Sequence, residues 1–201
     1  MATANAETTD GATGAARPAR NDVRRNLGAL LESAKTVFAE SGVNAPAKEI
    51  TDRAGMGVGT LYRHFPRRSD LIVAVLRQEF DDCIAAATTL GETLEPFDAV
   101  RAWIDRFTQF VRTKHGLAEA LHSADPAYDG LLNTLLDALE IAFDGLLRRA
   151  IERGDAREDA TARDILLSVV LLCQPVPTGG DGFNERVVTL FVEGLRTPRN
   201  G

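Results

Sequence analysis

Ile50-Thr51-Asp52-Arg53-Ala54-Gly55-Met56-Gly57-Val58-Gly59-Thr60-Leu61-Tyr62-Arg63-His64-Phe65 is the stretch whose reading decides the fold. It spells two short helices joined by a glycine turn. Pro66 ends the second, because a proline ring cannot continue a helix. Leu61 and Phe65 stand four residues apart, share one face, and anchor that helix in a core. The other face carries Thr60, Tyr62, Arg63 and His64, and the cations Arg67 and Arg68 follow directly. In a helix-turn-helix the second helix meets base edges in the major groove while the first crosses the backbone. In that arrangement Thr60, Tyr62 and His64 offer hydrogen bonds to phosphate. Val58 and Arg63 are the candidates for base contact, an apolar group against a thymine methyl and a guanidinium toward guanine. Gly57 and Gly59 let the backbone approach closely.

Charge bears on this reading. The 201-residue chain has a net charge of −6, which argues against a nucleic-acid partner until its distribution is read. Residues 17–80 hold eleven Lys/Arg against seven Asp/Glu, whereas residues 81–201 hold twelve against twenty. The local positive excess coincides with the helix-turn-helix, and phosphate attraction follows local potential. No apolar run approaches the roughly 20 residues that span a bilayer. The first residues lack the basic-then-apolar order of a secretory signal, so a cytoplasmic location and no membrane partner are expected. Cys83 and Cys173 lie far apart in apolar helical patterns and read as buried free thiols.

Working outward, residues 1–20 are small and polar and read as a disordered tail with a basic end at Arg17 and Arg20. Leu27, Leu30, Leu31, Ala34, Val37 and Phe38 recur at helical spacing over residues 22–41. Pro46 suits the first turn of the second helix, to Ala54, and the third runs from Val58 to His64. A long fourth helix from Ser69–Asp70 to about Leu90 has no break between the basic and acidic halves. It reads as a rigid connector. Further helices are expected over 96–114, 116–123, 126–153, 160–172 and 183–195, with a Pro/Gly loop over 174–182. No segment alternates like a strand. The fold class is therefore all-α: a three-helix N-terminal helix-turn-helix domain (21–67) joined by a long helix to a C-terminal helical bundle (68–201).

Ala54-Gly55, Gly59-Thr60-Leu61-Tyr62-Arg63-His64-Phe65-Pro66 and Leu71, preceded by Ala34, Phe38, Gly42 and Ile50, closely resemble the TetR family of bacterial regulators. The resemblance is strong over residues 22–80 and extends to the rest only as helix order. It implies a homodimer with a DNA-binding N-terminal domain and a C-terminal domain for ligand and dimerisation. The family's DNA contacts fall on Lys48, Val58, Gly59, Thr60, Tyr62, Arg63, His64 and Arg68, beside Gly57 from the residue reading. The family's usual hydroxyl at the start of the second helix is replaced here by Pro46 and Ala47. Asn44, the free helix amides or Lys48 would have to serve that corner.

In the C-terminal half, Ile165, Leu166, Val169 and Leu172 line one helix face, and Val187, Leu190 and Phe191 line another. Such faces pack either within one chain or across a two-fold axis as a four-helix bundle. The resemblance favours the second, with a palindromic operator as partner. Trp103, Phe107 and Phe110 (i, i+4, i+7), with Leu136 and Phe143, read as plain core or as the wall of a cavity. The resemblance implies an inducer cavity there for a small apolar or amphipathic molecule, with His122, Gln109 and Tyr128 as polar candidates. His115, Glu119 and His122 share a face if the helix is continuous. Gly116 interrupts it and no second Glu-x-x-His is present, so neither a metal nor a cofactor is expected. The reading is therefore a transcription regulator, a repressor released by ligand. The alternatives are a helical ligand carrier and a metal-dependent helical-bundle enzyme, and no nucleophile elbow or phosphate loop supports an enzyme.

Overall fold

The computed structural model describes residues 16–113, 130–180 and 182–197. Among them are eight helices and no strand: α1 Ala16–Ser41, α2 Ala47–Ala54, α3 Val58–His64, α4 Arg68–Thr93, α5 Pro96–Thr113, α6 Leu131–Glu152, α7 Ala162–Leu172 and α8 Phe183–Glu193. The all-α expectation holds. An isolated bridge between Ala156 and Arg196 clips the end of the chain to the turn after α6.

Several boundaries differ from the sequence expectation, and three of them bear on the N-terminal half. α1 begins at Ala16, so residues 16–20 are helical and not tail. The Ala and Arg residues there are strong helix formers, and Pro18 falls in the first turn, where its missing N–H costs nothing. Pro46 is the N-cap of α2, at φ −59° and ψ 139°, rather than its first helical residue. α4 runs to Thr93. The expected helix over 116–123 lies outside the described residues.

Two cores share one helix. Leu30, Ala34, Val37 and Phe38 of α1 pack with Ile50, Leu61 and Phe65, and α4 closes this core with Leu71, Ile72, Val75 and Leu76. Further along, α4 gives Phe80, Cys83 and Ala87 to a second core built with α5 to α8. The expected boundary after residue 67 falls just ahead of α4, whose first half packs with the N-terminal core. α1 and the two short helices α2 and α3 cannot cover their own apolar faces, so the connector supplies the missing wall. Leu131 of α6 is also buried in the N-terminal core, and Leu135 packs on both.

α4 and α6 touch closely at Gly91. A Cβ there would lie 2.8 Å from Arg149 Nη1 and 3.0 Å from Leu146 Cδ2. Arg149 Nη1 donates to the Gly91 carbonyl at 2.5 Å. The two cysteines are buried and form no disulfide, as their apolar surroundings predict.

Candidate nucleic-acid interface

The reading unit is held by its turn and its anchors. Gly55 caps α2 at φ 66° and ψ 32°, the left-handed region that glycine occupies at least cost. The Met56 N–H then bonds the Thr51 carbonyl at 2.9 Å, which closes the helix end tightly. Gly57 takes φ −83°, so its backbone would admit any residue. A Cβ at Gly57 or Gly59 would meet nothing within 4 Å. Neither glycine is required by packing inside the chain, and both leave the start of α3 bare to the outside.

Leu61 and Phe65 are buried, at 3% and 8% exposure, and pin α3 to α1 and α4. The other face turns out to solvent: Tyr62 is 51% exposed, and Arg63 and His64 are exposed beside it. Val58 and Thr60 are half-buried at the near edge. The anchor and display positions separate as their four-residue spacing predicts.

Around α3 the cations divide into two kinds. Lys48 is 74% exposed and paired to Asp52 at 2.5 Å across one helical turn. Such a surface pair contributes little, so Lys48 can exchange Asp52 for a phosphate. Arg53 joins Glu40 through two bonds of 2.6 and 3.2 Å and ties α2 to α1. Arg68, assigned to the DNA backbone from sequence, is differently employed. Its Nε and Nη2 donate to the Val43 carbonyl at 2.8 and 2.6 Å, and Nη2 also donates to the Ala45 carbonyl at 2.6 Å. The guanidinium also lies 4.9 Å from the Phe38 ring centroid. Burial draws its pKa down, and the Tyr62 hydroxyl opposes that. With its donors turned inward, Arg68 braces the α1–α2 corner. The fork that suits phosphate equally suits two adjacent carbonyls, and sequence spacing does not distinguish them.

The corner at Pro46 is as bare as its composition implies. No side chain caps α2, and Asn44 is exposed beside it. Arg67 marks the start of α4: its N–H donates to Asp70 Oδ2 at 3.0 Å and its guanidinium to Oδ1 at 2.8 Å. These two bonds hold the Asp70 carboxyl below the ordinary range.

The described aromatic residues expected around a ligand are buried together in the C-terminal core. The Trp103 ring lies 4.7 Å from that of Phe143 and 5.5 Å from that of Phe107, both stacked, and Phe80 meets Phe110 edge-on at 4.8 Å. Trp103 Nε1 donates to the Cys83 carbonyl at 2.8 Å. Trp103, Phe107, Phe110 and Phe143 are all buried, at 0 to 6% exposure. Phe110 also borders a cavity with Lys35 and Glu79, and Leu136 is half-buried. His115, Glu119, His122 and Tyr128 lie outside the described residues.

The expected dimer face is split. Ile165, Leu166 and Val169 are 1, 3 and 0% exposed and belong to the chain's own core, so they offer a second copy no surface. Leu172, Val187 and Phe191 are half-buried, and Leu190 is 72% exposed. Sequence reading missed Leu167 and Leu171, 47% and 71% exposed on the outward side of α7, and Ile141, 77% exposed on α6. The signal was present: α7 is apolar on both faces, and only one face can pack inward.

Comparison with known proteins agrees with this geometry. Residues 30–75 match the bacterial regulatory proteins of the tetR family, and residues 95–197 match the C-terminal domain of SbtR-like transcriptional regulators. The structure is similar to that of the TetR transcriptional regulator SCO0520 from Streptomyces coelicolor, with 30% identity and a TM-score of 0.73 over 85% of this chain and 98% of that one. The chain is 28% identical over 134 residues to the repressor KstR of Mycobacterium tuberculosis, covering 65% of this chain and 60% of KstR. It is 33% identical over 107 residues to the activator FasR of Mycolicibacterium smegmatis, covering 49% of each. The matches therefore span about half to three fifths of these relatives' length. The proteins in this group are regulators and not enzymes. The chain belongs to the TetR family of DNA-binding transcriptional regulators.

Proposed function

We propose that the protein acts as a homodimeric repressor that binds a palindromic operator and leaves it when a small ligand enters the C-terminal half. The observation that carries this reading is α3: Leu61 and Phe65 hold it down while Tyr62, Arg63 and His64 stand exposed above a bare glycine start. Lys48 supplies a releasable cation at the flank. Val58, Thr60 and the open backbone at Gly57 and Gly59 complete the contact set, in which Arg63 and Val58 read bases and the others position the helix.

Leu167, Leu171 and Leu190 support the dimer, since large apolar side chains this exposed gain most from a partner. Two-fold symmetry then requires two half-sites about one helical turn (~34 Å) or a multiple apart. KstR is named a repressor and FasR an activator, and the longer match is to the repressor. Coupling is provided by α4, which serves both cores, and by Leu131 and Leu135 of α6, which press on the N-terminal one. A ligand that favours one arrangement of these helices shifts the spacing of the two α3 helices. None of the described helices is long and apolar enough to cross a membrane.

A gel-shift titration with DNA flanking its own coding region, at low and at physiological salt, tests the reading. A complex with two protomers per palindrome is expected. Absence of any complex at low salt would sink it.

A further inference from the structure

A cavity of about 160 Å³ lies where α1, α4 and α5 meet. Lys35 comes to it from α1, Glu79 and Cys83 from α4, and Arg106, Gln109 and Phe110 from α5. The α4 pair stands four residues apart and the α5 set at i, i+3 and i+4, so each helix turns one face to the space. On α4 this is the changeover between the two cores: Leu76 belongs to the N-terminal one, Phe80 and Cys83 to the C-terminal one.

The wall grades from an apolar floor to a polar mouth. Cys83 and Phe110, 3% and 6% exposed, make the floor, and Phe80 holds the Phe110 ring edge-on. Arg106 and Gln109 are exposed and make the mouth. Lys35 and Glu79 stand between them as an ion pair that ties α1 to α4.

The charges select what fits. Glu79 compensates Lys35 within the cavity. Glu32 and Asp82 also act on Lys35 but do not line the space. Arg106, on the α5 side, has no hydrogen-bond or ion-pair partner among the described residues, and neither has the Gln109 amide. The lining therefore holds one uncompensated guanidinium with an amide donor one turn along. A carboxylate matches that pair, because the guanidinium fork donates to both of its oxygens and the amide adds a third bond. The floor asks for an apolar end. A cavity of about 150 Å³ holds benzene, so a single ring fits here with its carboxylate at the mouth.

We propose that the α1–α4–α5 cavity is the effector site and that it takes a small monocarboxylate with a compact apolar end. The carboxylate pairs with Arg106 and Gln109, and the apolar end lies on Cys83 and Phe110. The effector role rests on the reading of the protein as a ligand-released DNA binder, whereas the ligand class rests on the cavity alone. The site is the joint between the two halves, beside the aromatic stack and not within it. Occupancy ties α5 to the changeover point of α4 and sets an anion beside the Lys35–Glu79 pair. It thereby favours one seating of α1, the helix on which Leu61 and Phe65 anchor α3.

Calorimetry on the full chain tests the cavity with benzoate, against benzamide as the neutral match, benzylamine as the cationic one and acetate as the headgroup alone. Benzoate should bind at least tenfold more tightly than each of the three. Arg106→Gln should bring benzoate down to the level of benzamide without moving the melting temperature, because Arg106 is exposed and unpaired. Cys83→Met, which extends a flexible side chain over the floor, should weaken benzoate several-fold. No heat with benzoate overturns the proposal. So does benzylamine or acetate binding as tightly as benzoate, or full affinity in Arg106→Gln or in folded Cys83→Met. Fluorescence anisotropy with the DNA found by gel-shift separates the two readings. DNA held equally with and without benzoate overturns the effector role. Failure to bind DNA at all while benzoate still binds overturns the regulator reading and leaves the ligand class of the cavity supported.

Discussion

The Arg68 guanidinium reaches back from the first residue of α4 to the Val43 carbonyl, donating through Nε at 2.8 Å and Nη2 at 2.6 Å. The end of α1, the start of α2 and the start of α4 are thereby fixed to one another by a single side chain, which also bonds Ala45 and lies over Phe38. The pose of α3 depends on that corner, because α3 has only two buried anchors of its own.

Arg68→Ala should lower stability by about 1–3 kcal/mol, since two carbonyls lose their charged donor. Arg68→Lys should recover only part, because an ammonium cannot reproduce the planar fork. Urea unfolding checks this, and DNA affinity should fall in step with the folded fraction. An unchanged unfolding midpoint with lost DNA binding would return Arg68 to the phosphate contacts.

Arg63→Ala should leave stability unchanged, because the side chain is exposed. It should cost about 1–3 kcal/mol in operator affinity and far less in non-specific affinity. Lys48→Ala should weaken both alike and reduce the salt slope by about one. Anisotropy titrations across a salt series, with operator and scrambled DNA, distinguish the two patterns.

Gly91→Ala should destabilise by about 1–3 kcal/mol through overpacking of α4 against α6. The added methyl would stand 3.0 Å from Leu146 Cδ2, and Arg149 would have to leave the Gly91 carbonyl. Thermal melts of Gly91→Ala alone and with Leu146→Ala measure it, and the second change should relieve part of the loss.

The acid limb of stability should involve Asp70. Arg67 holds its carboxyl below the ordinary value. A depressed carboxyl contributes stability above its unfolded pKa, near 3.9, and loses it as pH falls through the lower folded value. Glu40, lowered by Arg53, acts in the same direction. Melting temperatures between pH 2 and 7 should therefore drop more gently at the acid end in Asp70→Asn than in the wild type. Parallel curves would remove Asp70 from the account.

Leu171→Asp and Leu190→Asp should yield folded monomers that bind a single half-site weakly, whereas Ile165→Asp should fail to fold, because Ile165 is 1% exposed inside the chain. Sedimentation velocity with circular dichroism separates these outcomes. A dimer surviving both leucine changes would move the interface elsewhere.

Much of this was legible in the sequence. Helix existence followed from the period of the apolar positions, and the Leu61/Phe65 anchors from their spacing. The glycine at the α2 end was legible as turn chemistry, although only Gly55, and not Gly57, takes positive φ. Less legible were the assignments that depend on what lies across a gap. Ile165, Leu166 and Val169 read as interface because α7 is apolar on two faces, and a periodic pattern does not say which face looks inward. The Trp103 and Phe107 stripe read as core or as cavity wall, and the 4.7 Å stacking of Trp103 on Phe143 joins α5 to α6, two helices distant in sequence.

By itself the amino-acid order determined the class of fold, the DNA-reading helix, and which of its side chains anchor and which face outward. These follow from periodicity and local backbone chemistry, which act within a few residues. Only the tertiary structure decided that Arg68 braces a corner, that α4 belongs to two cores, and that Leu167 and Leu171 form the exposed face of α7. Each of those depends on a neighbour distant in sequence, and a side chain's partner is set by which groups folding brings within about 3 Å of it.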